Sequence, residues 1–260
     1  PRYRLDEKDL LQFCEKGYGK GVRSFMLVGG DDYNFTESRV ADMVAMLREK
    51  FSDCSVGLAL GQRSESTYRT WFEAGASRYE LSHETASDSH FKKIHPPEMS
   101  LLTRKQSLWE LKMIGYQVGS GFMVGTPYQM VADVVEDLLF LKKLDPQIVH
   151  IVPFMPTAYT RFEHERSGNG DMTLYLMAIA RLMLPRAMIT ADTILDNVLQ
   201  DGDIIQSRYA ITKRDRTIHG RMREYLYFLT HSERFKTVVL PVGDGAALSQ
   251  VVPGSISNND

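Results

Sequence analysis

Between residues 5 and 165 short apolar runs alternate with amphipathic stretches of helical period, and this alternation limits the fold more than any other feature of the chain. The runs are Ser24-Phe25-Met26-Leu27-Val28, Val56-Gly57-Leu58-Ala59-Leu60, Arg78-Tyr79-Glu80-Leu81, residues 118–124, and Ile148-Val149-His150-Ile151-Val152. A polar or glycine-rich turn follows each. Asn34 with Glu37 three residues on opens one helix, with Val40, Met43, Val44 and Leu47 on its apolar face. Thr126-Pro127-Tyr128-Gln129 reads as a capping box with proline at the first helical position, ahead of Val131, Val134, Val135, Leu138 and Leu139. After Asp171 a helix through Met172, Leu176, Ile179 and Leu182 stops at Pro185, and Ala187-Met188-Ile189-Thr190 offers a sixth run. Repeated βα units demand right-handed crossovers and a parallel sheet. The fold class is therefore α/β, as an open doubly wound sheet or a (βα) barrel of the TIM type, and 260 residues suffice for such a barrel as one core.

Composition removes several functions. With 31 basic and 33 acidic side chains the net charge is −2, against bulk affinity for nucleic acid. The basic stretch 208–236, with Tyr225, Tyr227 and Phe228 among arginines, is the one place such binding could reside, but a solvated amphipathic helix explains it better and no nucleic-acid partner is expected. No apolar run reaches the roughly 18 residues of a membrane span, and no charged-then-apolar leader opens the chain, so a cytoplasmic protein is expected. The two cysteines, Cys14 and Cys54, make neither a disulfide framework nor a C-x-x-C metal site. His83, His90 and His95 share no helix or strand face, which argues against a metal triad.

Ligands of parallel α/β folds bind at the carboxyl ends of the strands, so the turns are where chemistry is sought. Gly29-Gly30-Asp31-Asp32 lets backbone approach a ligand while the acids could hold an ammonium; alternatively it is a tight turn with solvated acids. Ser82-His83-Glu84-Thr85-Ala86 places a histidine and an acid at a strand terminus, suited to proton transfer or to ribose hydroxyls, or else to capping and packing. Residues 119–127 carry Gly119, Gly121 and Gly125, so something crowds that backbone. Val152-Pro153-Phe154-Met155-Pro156 forms a stiff apolar lip able to sandwich an aromatic base, or simply a proline-braced loop. Trp71 and Trp109 have the spacing of core residues.

Taken in order, Leu27-Val28-Gly29-Gly30-Asp31-Asp32, Glu73-Ala74-Gly75-Ala76, Arg78-Tyr79, His83-Glu84-Thr85-Ala86, Arg104, Gly115-Tyr116, residues 119–127, Asp137-Leu138-Leu139-Phe140-Leu141-Lys142 and Pro153-Phe154-Met155-Pro156 resemble radical S-adenosylmethionine enzymes of the biotin-synthase-like group, and within it the FeFe-hydrogenase maturase type. The resemblance spans about residues 2–165, with a weaker continuation to 193. It implies a barrel in which S-adenosylmethionine chelates a 4Fe-4S cluster and is cleaved reductively to a 5′-deoxyadenosyl radical. It implies that Gly29, Gly30 and Asp31 meet the methionine amino group, Glu84 the ribose or amino end, and Arg104 the methionine carboxylate. Val124, Gly125, Val152, Pro153 and Phe154 match the segments enclosing the adenine, and Gly57, Ser82, His83 and Thr190 the substrate-facing positions. No residue is singled out as catalytic.

Departures accompany the match. Asp31 stands where glutamate is usual, Ser82 where the maturases have arginine, Gly57 for a threonine and Gln62 for an acid. A carboxylate once gripped there by a charge-assisted bond would lose on the order of 1.5–3 kcal/mol. The C-x-x-x-C-x-x-C run that binds the cluster is not matched by Cys14 or Cys54, and Pro1-Arg2-Tyr3-Arg4-Leu5 resembles the stretch just after it, so the first strand and cluster loop are expected upstream of Pro1. The expected layout is a partial barrel over 1–195 and a C-terminal segment over 196–260 that ends the barrel or forms a tail. Implied partners are a small-molecule or organometallic substrate, other hydrogenase maturation proteins and a ferredoxin or flavodoxin reductant. Methylornithine synthase shares the scaffold and is an alternative activity; a cluster-less barrel that binds S-adenosylmethionine or a protein is an alternative of another class.

Overall fold

The structure, a computed structural model, describes residues 6–29, 35–190, 235–240 and 246–251. Helix α1 (Glu7–Gly19) leads into alternating strands and helices: β1 (Ser24–Val28), α2 (Glu37–Lys50), β2 (Ser55–Ala59), α3 (Glu65–Glu73), β3 (Ala76–Glu80), α4 (Asp88–Ile94), α5 (Leu101–Ile114), β4 (Gln117–Val124), α6 (Val131–Leu144), β5 (Ile148–Pro153), α7 (Gly170–Met183) and β6 (Met188–Thr190). All six apolar runs are strands, displaced by at most two residues at an end. The six make one sheet in the order β1-β2-β3-β4-β5-β6. A doubly wound sheet reverses its order at a switch point, whereas unbroken sequence order is that of a (βα) barrel, which closes with eight strands. This sheet is an incomplete barrel sheet. Strands β1 to β4 pair parallel, for example Met26 opposite Gly57 and Tyr79 opposite Val118, with a register shift between β2 and β3 at Val56–Gly57.

Two helix starts differ from the sequence reading. Helix α2 is capped by Thr36, whose side chain accepts from Arg39 N at 3.4 Å; Asn34 lies outside the described residues. The capping box expected at Thr126–Gln129 does not form, because both ends of the Gln129 amide are spent on the turn: Oε1 accepts from Gly125 N and Nε2 donates to Met123 O. Helix α6 starts later, at Val131, with the Asp133 carboxylate accepting from Met130 N at 2.7 Å.

The described residues group into two compact units. The first holds residues 1–121 and 139–149. Its core lies between sheet and helices and contains Val56, Leu58 and Leu60 of β2 and its turn, Tyr79 and Leu81, and Tyr68, Trp71, Leu108 and Leu111 from α3 and α5. Tyr79 packs edge-on to Tyr68 and Tyr116 and stacked on Trp71, burying large aromatic area with favoured ring geometry. The hydroxyls serve the site: Tyr79 donates to Gly61 O and Tyr68 accepts from Arg63 N, each at 2.8 Å, so the turn after β2 is anchored to the core. Burial pushes both phenols above the ordinary tyrosine range.

The second unit holds residues 122–138 and 150–260. In it α7 is capped by Asn169, whose side chain accepts from Met172 N, and Thr173, Leu176 and Ala180 form its buried stripe. Beyond β6, β7 (Phe235–Leu240) and β8 (Ala246–Val251) form an antiparallel pair with Phe235 opposite Val251, a hairpin the sequence reading did not find. The remainder of the basic stretch 208–236 lies outside the described residues.

Candidate active site

In the first unit the turn after β3 carries the densest polar geometry. Glu84 sits in the left-handed region at φ 66°, where an L-residue pays roughly 1–2 kcal/mol, and its N–H donates to Gly121 O at 2.9 Å. Its carboxylate is held from two sides. Arg104 of α5 donates through Nη2 to Oε1 at 2.7 Å, and Nε2 of His95, the residue that ends α4, lies 2.8 Å from Oε2. Arg104 also donates through Nε to Ser82 O at 2.6 Å, leaving Nη1 with no partner among the described residues. Burial of Glu84 opposes its ionisation, but the contact with His95 and the charge of Arg104 outweigh it and hold the carboxyl below the ordinary glutamate range. A cavity of about 400 Å³ opens beside this pair, lined among others by Gln62, Glu84, Ser100 and Arg104. A guanidinium with a free edge next to an ionised carboxylate fits the carboxylate and ammonium of an amino acid.

The other expected residues of this unit are distributed as follows. Gly29 donates to Ala59 O at 3.0 Å, and a Cβ there would meet the Phe35 ring at 2.7 Å; Gly30 and Asp31 lie outside the described residues. Ser82 is half-buried and enters the site through its carbonyl. His83 is fully buried, with Nδ1 3.0 Å from Ser120 Oγ and its ring against Phe140 of α6, the surroundings of a packed histidine. Gly57 pairs in register with Arg78, and a Cβ on it would stand 2.5 Å from Met26 Sδ and 2.9 Å from Arg78 Nε. A side chain at position 57 would require Met26 or Arg78 to move aside. Arg78 reaches Glu80 at 3.5 Å on the side of the strand away from Tyr79 and Leu81, and a Cβ on Gly119, opposite Glu80, would meet its Cγ at 2.6 Å.

In the second unit the ends of β4 and β5 are joined by backbone. Phe154 N donates to Val124 O at 2.9 Å and Gly168 N to Phe154 O at 2.7 Å. Gly168 lies so close that a Cβ would be 2.1 Å from Val124 O and 2.5 Å from Phe154 N. Gly125, at φ 79°, meets Gly168 Cα in the same way. Val124 and Pro153 are buried, Val152 and Phe154 half-buried, and the Phe154 ring meets Phe162 edge-on at 6.4 Å. This is a tight apolar lip at the ends of β4 and β5. Thr190 hydrogen-bonds His150 Nδ1 at 2.7 Å. Sequence reading missed His95, His150 and Gly168; only Gly168 left a local signal, the Ser-Gly-Asn-Gly turn ahead of a helix.

Neither cysteine fits a cluster. Cys14 and Cys54 are buried in the core, and burial pushes both thiols up, away from the thiolate a metal requires. No group of three potential ligands that could hold a metal occurs among the described residues.

No family model matches the chain. The crystal structure of methylornithine synthase superposes with TM-score 0.67 at 24% identity, over 73% of this chain and 56% of that one, which gives the fold as the same kind of barrel. Biotin synthase of Anaeromyxobacter dehalogenans is 27% identical over 189 residues, covering 70% of this chain and 50% of that protein. A relative 34% identical over 80% of this chain, together with the ordered barrel strands, places the chain in the radical S-adenosylmethionine superfamily, in its biotin-synthase-like group. There it is homologous to the FeFe hydrogenase maturase subunit HydE of Thermotoga maritima, at 34% identity over 207 residues, 80% of this chain and 59% of that protein. The chain thus spans somewhat over half the length of the curated relatives it matches.

Proposed function

We propose that the chain forms the S-adenosylmethionine-binding part of a radical enzyme that acts in FeFe-hydrogenase maturation. The observation that carries this is the Glu84–Arg104 pair beside its cavity, in a chain homologous to HydE. When bound and reduced, S-adenosylmethionine supplies a 5′-deoxyadenosyl radical. The residues here bind and orient it: Arg104 Nη1 takes the methionine carboxylate, Glu84 the amino or ribose end, and Val124, Gly125, Val152, Pro153 and Phe154 the adenine. Gly29, with Gly30 and Asp31, completes the amino-group site. The residues present do not fit the 4Fe-4S cluster, so no electron-transfer step is assigned to them. Gly57, Ser82 and Thr190 face the substrate in this reading, which is a small molecule or an organometallic fragment, while His83 supports that wall from the helix side. Other maturation proteins and a ferredoxin- or flavodoxin-like reductant are the proposed partners, in a cytoplasmic setting. Residues 1–195 are the proposed barrel part and 196–260 a C-terminal segment that ends the barrel or forms a tail.

The test uses a longer form that carries the C-x-x-x-C-x-x-C run expected upstream and is loaded with its cluster, hereafter the cluster-loaded protein, incubated anaerobically with dithionite and S-adenosylmethionine. The expected products are 5′-deoxyadenosine and methionine in equal amounts. Binding of S-adenosylmethionine without any cleavage would instead favour the non-catalytic barrel.

A further inference from the structure

Arginine and carboxylate side chains pair most favourably as a two-pronged fork. Glu84 and Arg104 do not. They share one contact, Nη2 to Oε1, because Ser82 O occupies Nε and His95 occupies the side of Oε2. His95 is itself fixed. Its ring stacks on Phe91 with centroids 4.0 Å apart and planes 28° apart, its N–H donates to Phe91 O at 2.9 Å, and Pro96-Pro97 stiffen the exit from α4. Its side chain is 12% exposed, and its buried Nε2 lies 2.8 Å from Glu84 Oε2 as a charge contact without the alignment of a hydrogen bond.

From this we infer that His95 is a positioning residue: by holding Oε2 it keeps the Glu84 carboxylate from closing a two-pronged pair on Arg104, and so keeps Nη1 open for an incoming carboxylate. The inference rests on the reading of this cavity as the amino-acid end of the S-adenosylmethionine site. Charged or titratable neighbours that share the environment are Arg104 on α5, His83 in the turn and Glu98 at the cavity rim. Without His95, Glu84 is free to rotate onto Nη1, and the ligand must then break that pair before it binds. Glutamine at position 95 places a side-chain N–H near the position of Nε2, so it should preserve the separation; alanine should not.

The experiment is calorimetric titration of cluster-loaded wild type, His95→Ala and His95→Gln with S-adenosylmethionine and, separately, with 5′-deoxyadenosine, which lacks the amino-acid end. The expected result is that His95→Ala weakens S-adenosylmethionine about tenfold, the scale of one charged hydrogen bond, while His95→Gln stays within about threefold of wild type. Affinity for 5′-deoxyadenosine should be the same in all three. Equal S-adenosylmethionine affinity in wild type and His95→Ala overturns the inference, as does loss of both ligands in both variants, which would mark His95 as merely structural. Failure of wild type to bind S-adenosylmethionine would instead overturn the reading of the cavity. Should His95→Ala not fold, His95→Gln still decides: a tenfold loss there for S-adenosylmethionine alone contradicts rescue by the retained donor.

Discussion

Arg104 and Glu84 show how one residue's geometry depends on its neighbours' backbone. Arg104 is nearly buried and spends two of its three nitrogens inside the protein, so substitution has consequences for both ligand and turn. Arg104→Ala should weaken S-adenosylmethionine roughly ten- to hundredfold, as loss of charge-assisted bonds does, and leave iron content unchanged. Equal affinity would remove the residue from the site. Glu84 gives a prediction in pH. Its carboxyl is held below the ordinary glutamate range, so its contribution to stability is present above that range and is lost as pH falls through the lower folded value. Melting temperature followed from pH 6 to pH 3 should therefore fall more steeply in wild type than in Glu84→Gln; parallel curves would contradict the assignment. These two residues were legible in sequence because the His-Glu-Thr-Ala motif and Arg104 match a family pattern. His95 was not, since it lies eleven positions beyond Glu84 and meets it only through the turn and α4. Gly57 was legible as a departure from the family pattern, but the crowding around it by Met26 and Arg78 needed coordinates.

Elements were read well where burial sets the period and poorly where one side chain can satisfy two structures. The strand runs are apolar because helices cover the core face, so β1 to β6 fall within two residues of their expected ends. The Thr126–Gln129 segment has the composition of a capping box, yet Gln129 bonds back to Gly125 and Met123 and delays α6 by one turn. The hairpin β7–β8 escaped because no βα pattern flanks it. The junction of β4, β5 and Gly168 gives the test at this scale. Its closest neighbours are backbone atoms, which cannot swing aside, so Gly168→Ala should destabilise the protein by about 1–3 kcal/mol in urea unfolding. A change within about 0.5 kcal/mol would show that the segment is not locked between the strand ends as described.

At the scale of the molecule, strand order, a methylornithine-synthase-like fold and homology to HydE agree on a partial radical S-adenosylmethionine barrel. No helix among the described residues is long and apolar enough to cross a membrane. The cysteine count acquires its meaning at this scale: two core thiols leave the ligand-binding residues in this chain and give the cluster none. The most direct test of the account is a crystal structure of the cluster-loaded protein with S-adenosylmethionine. The methionine carboxylate should lie on Arg104 Nη1, with Glu84 Oε2 still beside His95 and the adenine against Phe154. A methionine carboxylate bound away from Arg104, with the cavity beside Glu84 left to solvent, would contradict it.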